Sequence, residues 1–156
     1  MNTSEKGINL IKGYEQCRLY AYRDSVGVLT IGWGHTKNVY AGQAITQQQA
    51  DEFLKQDLAI FEKVINETGL KLTQNQFDAL VSWVYNLGAG ALYKSTMYKY
   101  LKEGRKEEEV TDQLVKWHNA GGKPLLGLKR RRVSEANMYL GRELYYVNKG
   151  EKIVKK

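Results

Sequence analysis

At 156 residues and 42% hydrophobic content, the chain suits one compact domain, or one core shared by two lobes. Its 24 Lys and Arg against 17 Asp and Glu give a formal charge of +7, which fixes a partner's sign (nucleic acid, anionic membrane or anionic bacterial wall) and not its identity. The single cysteine, Cys17, excludes an internal disulfide, and His35 and His118 lie too far apart for metal-ligand spacing, so no metal or cofactor is expected.

In chain order, the first fifteen residues lack the apolar run of a signal peptide, and no stretch approaches the roughly 20 apolar residues of a membrane span. Maturation in the cytosol without stable membrane insertion is the simpler expectation. Ile8, Leu10, Ile11 and Tyr14 sit near helical spacing, with Asn2, Thr3 or Ser4 as cap, so a first helix should end close to Glu15. Arg18 to Asp24 suits a strand, Ser25 to Gly27 a turn and Val28 to Ile31 a returning strand. A short third strand is expected near Asn38 to Tyr40. Thr46 with Gln49, and Thr73 with Gln76, are capping-box pairs. The first opens a helix of about five turns striped by Phe53, Leu54, Leu58, Phe61 and Ile65. The second opens a broad-faced helix carrying Phe77, Leu80, Val81, Val84 and Tyr85, closed by Gly88. Shorter helices are expected at Thr96 to Lys102 and Glu107 to His118, then a loop marked by Gly121, Gly122 and Pro124, a last helix from Leu128 to Leu140, and a charged tail over 142–156.

The fold class is therefore α+β and mostly α: a small β-hairpin lobe over about 16–45 joined to a larger helical lobe, with a cleft between them. Eleven Tyr and three Trp suit a core or a cleft that handles sugars. Glu15, Asp24 and Thr30 fall around the hairpin. Two carboxyls held across a gap meet the needs of glycosidic hydrolysis, where one donates a proton and the other supports water or the developing cation. Glu15, at a helix end beside an apolar face, is expected to be buried and to hold its proton, as a general acid must. Asp24, beside a turn, is expected to stay wet and ionised. The Thr30 hydroxyl could hold a water. Each residue also has an ordinary explanation: Glu15 pairing with Arg18 or one of Arg130 to Arg132, Asp24 bonding turn amides, and Thr30 chosen for its strand preference.

The wider pattern resembles the phage-type lysozymes, the endolysins of glycoside hydrolase family twenty-four. Their signature is Glu, eight residues, Asp, five residues, Thr. Here it reads Glu15, Asp24 and Thr30, running into Ile31-Gly32-Trp33-Gly34-His35. Phe77 to Leu80, Tyr85 to Gly88, Ser95-Thr96, Trp117 to Gly122, and Gly127-Leu128 with Arg131, Arg132 and Glu135 extend the likeness over about residues 5 to 141. The resemblance implies a lysozyme-like fold and a muramidase that cleaves the β-1,4 bond between N-acetylmuramic acid and N-acetylglucosamine in peptidoglycan. Glu15 would be the general acid, Asp24 the second carboxylate and Thr30 the residue positioning water, with inversion at the anomeric centre. Tyr85 and Ser95 would contact substrate, although packing and capping explain them equally well. It also implies a monomer held in the host cytoplasm until a holin frees it to reach the wall.

Four consecutive cations, Lys129 to Arg132, cannot all face one partner on a helix. One could support Glu15 while others meet wall anions; salt bridging to Glu135 and solvent exposure explain them as well, and a mixture is expected. A guanidinium at Glu15 would oppose general-acid work unless burial outweighed it. Two other readings stay open. One is a lytic transglycosylase, which needs a single Glu and for which Asp24 and Thr30 are superfluous. The other is a basic, non-catalytic module binding the wall or nucleic acid, although no nucleic-acid motif is present and nucleic acid is not the expected partner.

Overall fold

The computed structural model describes residues 1–120 and 122–142. The expected charged tail, save Arg142, lies outside the described residues. The described chain holds helices α1 (Glu5–Tyr14), α2 (Gln47–Glu67), α3 (Gln74–Leu87), α4 (Ala89–Lys94), α5 (Thr96–Glu103), α6 (Glu107–Leu114) and α7 (Leu126–Tyr139). Strands β1 (Arg18–Arg23) and β2 (Leu29–Gly32) form one antiparallel hairpin, and β3 (Asn119–Ala120) and β4 (Lys123–Pro124) a second. The architecture is mostly α with a small β lobe, as the sequence predicts.

Capping chemistry sets the helix starts. Ser4 Oγ accepts from the Gly7 amide to begin α1. Thr46 and Thr73 each complete a reciprocal capping box, with Gln49 and Gln76 respectively. Helix α3 is the centre of the fold. Phe77 through Val84 are all buried, and the helix packs against α1, α2 and α7. A helix buried on every side must satisfy its polar groups internally. Trp83 Nε1 donates to the Leu114 carbonyl at 3.3 Å, and Asp78 and Ser82 are held by partners on α1 and α7.

The local expectations are corrected at five points. Asn38 to Tyr40 do not form a strand, because Asn38 takes a left-handed backbone with φ 58° inside a turn. The chain aligns with β1 slightly later, where the Ala21 amide donates to Gln43 O and the Ile45 amide to Leu19 O, both at 2.9 Å. Helix α4 was not foreseen; it is a six-residue turn of helix between Gly88 and Ser95. Helix α6 stops at Leu114, and His118 Nδ1 meets the Val115 carbonyl at 2.6 Å beyond that end. The expected loop marked by Gly121, Gly122 and Pro124 falls within the β3–β4 hairpin, and α7 starts at Leu126 rather than Leu128.

Helix α1 is pinned at both ends, which fixes where Glu15 emerges. At its start, buried Asp78 accepts from the Ser4 amide at 3.0 Å, from the Ser4 hydroxyl and from Gln74 Nε2 at 2.8 Å. Gly7 makes this closeness possible: a Cβ there would lie 2.7 Å from Asp78 Cγ and 2.8 Å from Thr3 Cγ2. At its end, the Tyr14 hydroxyl bonds the Arg130 carbonyl at 3.1 Å and Ser134 Oγ at 2.5 Å on α7. Gly7→Ala should overpack this contact and destabilise the protein by about 1–3 kcal/mol. Thermal unfolding should show a fall of several degrees in Tm; an unchanged Tm would mean that the helices separate freely.

Candidate active site

Glu15 is the residue at which α1 ends. Its amide still bonds Ile11 O at 3.0 Å, while its own backbone turns extended. The turn swings the side chain from the helix axis toward α7. There Arg131 Nη1 donates to Glu15 Oε1 at 2.8 Å. The Glu15 side chain is 25% exposed and that of Arg131 only 4%. The expectation of a carboxyl buried against apolar residues is thus corrected. Its neighbour is a guanidinium, and it keeps a wet side. The other oxygen, Oε2, faces the glycine turn after β2: a Cβ on Gly34 would lie 3.7 Å from Oε2 and 3.6 Å from the Tyr85 hydroxyl. Gly34, at φ +102°, is suited to that approach.

Beneath Arg131 lies a dry polar cluster. Arg131, Arg132, Ser82 and Glu135 are each at most 3% exposed. Ser82 Oγ donates to Glu135 Oε2 at 2.5 Å. Arg132 Nη2 reaches the same oxygen at 3.0 Å, and Arg132 Nε lies 2.6 Å from Oε1. Arg131 Nε lies 3.4 Å from Oε2, while Arg131 Nη2 meets the Ser82 carbonyl at 3.3 Å. Arg131 therefore takes both roles weighed for the basic cluster, touching Glu15 and Glu135 together. Sequence reasoning missed Ser82; two signals could have found this cluster, the i, i+4 spacing of Arg131 and Glu135 and a Ser set among Val81, Trp83 and Val84. The sequence could not say which Arg turns inward.

Asp24 and Thr30 occupy the hairpin. Thr30 pairs with Tyr22 across the strands, and Asp24 follows Tyr22 by two residues, so all three share one face. Neither Asp24 nor Thr30 is among the residues that line the cavity opening beside Glu15. Asp24 Oδ1 accepts from the Val26 amide at 3.0 Å and the Val28 amide at 2.9 Å. The turn-acid geometry is thus present, while Oδ2 has no hydrogen-bond partner among the described residues. Thr30 is 4% exposed, and its hydroxyl donates to the Val28 carbonyl at 2.9 Å.

A cavity of about 360 Å³ opens beside Glu15, walled by the Gly34 to Lys37 segment, Asp57, Ile60 and Phe61 of α2, and Tyr85 and Asn86 of α3. Tyr85 packs edge-on against Phe61, its hydroxyl tied to the Trp33 carbonyl at 3.1 Å. Burial, reinforced by the negative charges of Glu15 and Asp57, pushes its phenol well above the usual range. His35 is buried, stacks on Phe53 and sits 2.8 Å from Asp57 Oδ2, bracing the turn from beneath. Trp33 Nε1 donates to Asp51 at 2.8 Å, which joins the same turn to α2. Ser95 does not line this cavity. It is buried and caps α5, accepting from the Tyr98 amide at 3.0 Å and donating to Leu92 O at 2.7 Å. Among the described residues, no group of three or more His, Cys, Asp and Glu is arranged to hold a metal ion.

The family model for phage lysozyme matches residues 12–135. The chain belongs to the phage lysozyme family. As a phage lysozyme it is a glycoside hydrolase. It is 42% identical over 144 residues to the endolysin of Acyrthosiphon pisum secondary endosymbiont phage 1, covering 89% of this chain and 98% of that protein. Among solved structures, the muramidase domain of SpmX from Asticaccaulis excentricus superposes with a TM-score of 0.83 at 35% identity, covering 89% of this chain and 97% of that one. The endolysin from Escherichia coli O157:H7 phage FAHEc1 gives 0.80 at 39% identity, covering 90% and 94%. In this lysozyme the Ser95 hydroxyl is occupied by capping. Ser95→Ala should therefore cost about 1 kcal/mol of stability with KM unchanged on cell walls. A raised KM at constant stability would assign the hydroxyl to substrate instead.

Proposed function

We propose that Glu15, Asp24 and Thr30 carry out the muramidase reaction of this endolysin, cleaving the β-1,4 bond from N-acetylmuramic acid to N-acetylglucosamine in peptidoglycan during host lysis. The observation that carries this reading is the division of Glu15 between two surroundings. Arg131 occupies Oε1 in a dry site, while Oε2 faces the cavity beside Gly34 and Tyr85. Oε2 is the oxygen that gives its proton to the glycosidic oxygen as the C1–O bond breaks.

On the hairpin side, two backbone amides hold Asp24 by one oxygen, which aims the other. A charge fixed in this way supports an oxocarbenium-like centre and accepts the proton lost by the attacking water. The Thr30 hydroxyl commits its own hydrogen to Val28 O. It can then meet water only as an acceptor, which leaves the water's lone pair free for C1. The product is a muramic acid residue with a free reducing end. Tyr85 contributes a ring along the cavity, locked by its bond to Trp33 O. On this reading the chain works as one lysozyme-like domain of two lobes. It is a monomer, waiting in the host cytoplasm until a holin opens the route to the wall. Among the described residues no helix is long and apolar enough to cross a membrane.

Clearing of a cell-wall suspension tests the assignment. Glu15→Gln should reduce the rate by about 10²–10⁴, and Asp24→Asn by at least about 10². Thr30→Ala should lose about tenfold with Tm nearly kept, since a water contact is worth of order 1 kcal/mol. Wild-type clearing by Glu15→Gln would remove the general acid from position 15.

A further inference from the structure

The cluster below Glu15 holds a carboxylate that the reaction does not use. Glu135 is fully buried and contacts Arg131, Arg132 and Ser82 at once. One of its cations, Arg131, is also the cation on Glu15. The order is Arg132, Glu135, Arg131, Glu15, with alternating charge along a nearly dry path. In low dielectric, each charge in such a row weakens the pull of its neighbour on the next. A guanidinium bound to Glu15 alone would hold it as a carboxylate and work against proton donation. A guanidinium shared with a second, more deeply buried carboxylate exerts less of that pull.

We propose that Glu135 is a positioning residue that divides the charge of Arg131 between itself and Glu15, so that Arg131 orients the acid without stripping its proton. The inference rests on Glu15 being the general acid. The geometry gives Glu135 the means. Ser82 Oγ and Arg132 also bond Glu135, and Arg131 Nη2 is anchored to the Ser82 carbonyl, so the guanidinium is held on its Glu135 side as well as by Glu15. The titratable and charged groups facing Glu15 are Arg131 from α7, Tyr85 from α3, Asp57 from α2 and Lys37 from the turn after β2. Those facing Glu135 are Arg131, Arg132 and Tyr14. Of all these, only Arg131 contacts both carboxylates. Among the described residues, none of the partners bonded to Glu135 lines the cavity, and Arg131 is the one that also bonds Glu15.

The test is the pH profile of kcat/KM on peptidoglycan for Glu135→Gln, which keeps the side-chain shape and removes the charge. With Arg131 left to Glu15, the carboxyl loses its proton more readily. The alkaline limb should then move to lower pH by about one unit, with KM unchanged and near wild-type rates below the shifted limb. A mere structural role would lower the rate evenly at every pH and leave the limb in place, and that result overturns the proposal. The double variant R132M/E135Q covers a failure of the single variant to fold. It removes one charge of each sign and keeps the net charge. If Glu135 serves only to neutralise Arg132, this pair restores the wild-type limb and the proposal fails. If Glu135 shares Arg131, the limb stays displaced. Activity retained in Glu15→Gln would instead sink the general-acid reading itself, so the two failures are distinguishable.

Discussion

The ion cluster of Arg131, Arg132 and Glu135, dry between α3 and α7, is the constraint on which the placement of Glu15 depends. Two guanidiniums buried with one carboxylate are costly unless their polar atoms find partners; Ser82 and Glu15 supply several, while Arg132 Nε and Glu135 Oε1 meet at 2.6 Å as an ion pair without a well-directed hydrogen bond. The demand runs in both directions. Glu15 supplies the fourth charge, and the cluster fixes where the Glu15 side chain must end. Helix α1 can meet that demand only because its own ends are clamped, by Asp78 at Ser4 and by Ser134 at Tyr14.

The other half of the site depends on a different economy of contacts. The hairpin is short, and its pairing is irregular between Arg18 and Tyr22. It gains rigidity from the turn that follows. His35 anchors that turn to Asp57, Trp33 anchors it to Asp51, and Tyr85 reaches back to the Trp33 carbonyl. All three ties end on α2 or α3. The wall of the cavity and the strand bearing Thr30 are therefore referenced to α2 and α3, and α3 also carries the Ser82 that holds Arg131 beneath Glu15. A hydrolytic site spanning two lobes needs such a shared frame, because catalysis is lost when groups drift by about 1 Å.

Much of this was legible in the sequence because the signals were local. The capping boxes at Thr46 and Thr73 located two helices. The alternation around Arg18 and Leu29 gave the hairpin, and the spacing of Glu15, Asp24 and Thr30 pointed to the family. The largest gap is a contact distant along the chain. Pairing of Glu15 with one of Arg130 to Arg132 is open in the sequence beside burial against apolar residues, but nothing near Glu15 says which guanidinium, here 116 positions later, it will meet. The third strand was misplaced because Asn38 can take a left-handed backbone that a strand pattern does not reveal. Ser95 has a cap's sequence position and a family role at once, and the structure shows the first, in its hydrogen bonds to Tyr98 and Leu92.

The direct measurement of water attack between Glu15 and Asp24 is digestion of peptidoglycan in heavy-oxygen water, with the released muropeptides weighed by mass spectrometry. Hydrolysis assisted by both carboxyls places one heavy oxygen at the reducing end of every muramic acid residue released. Unlabelled 1,6-anhydro ends would contradict it, because they would mean that the sugar closes on itself and that Asp24 and Thr30 hold no nucleophile.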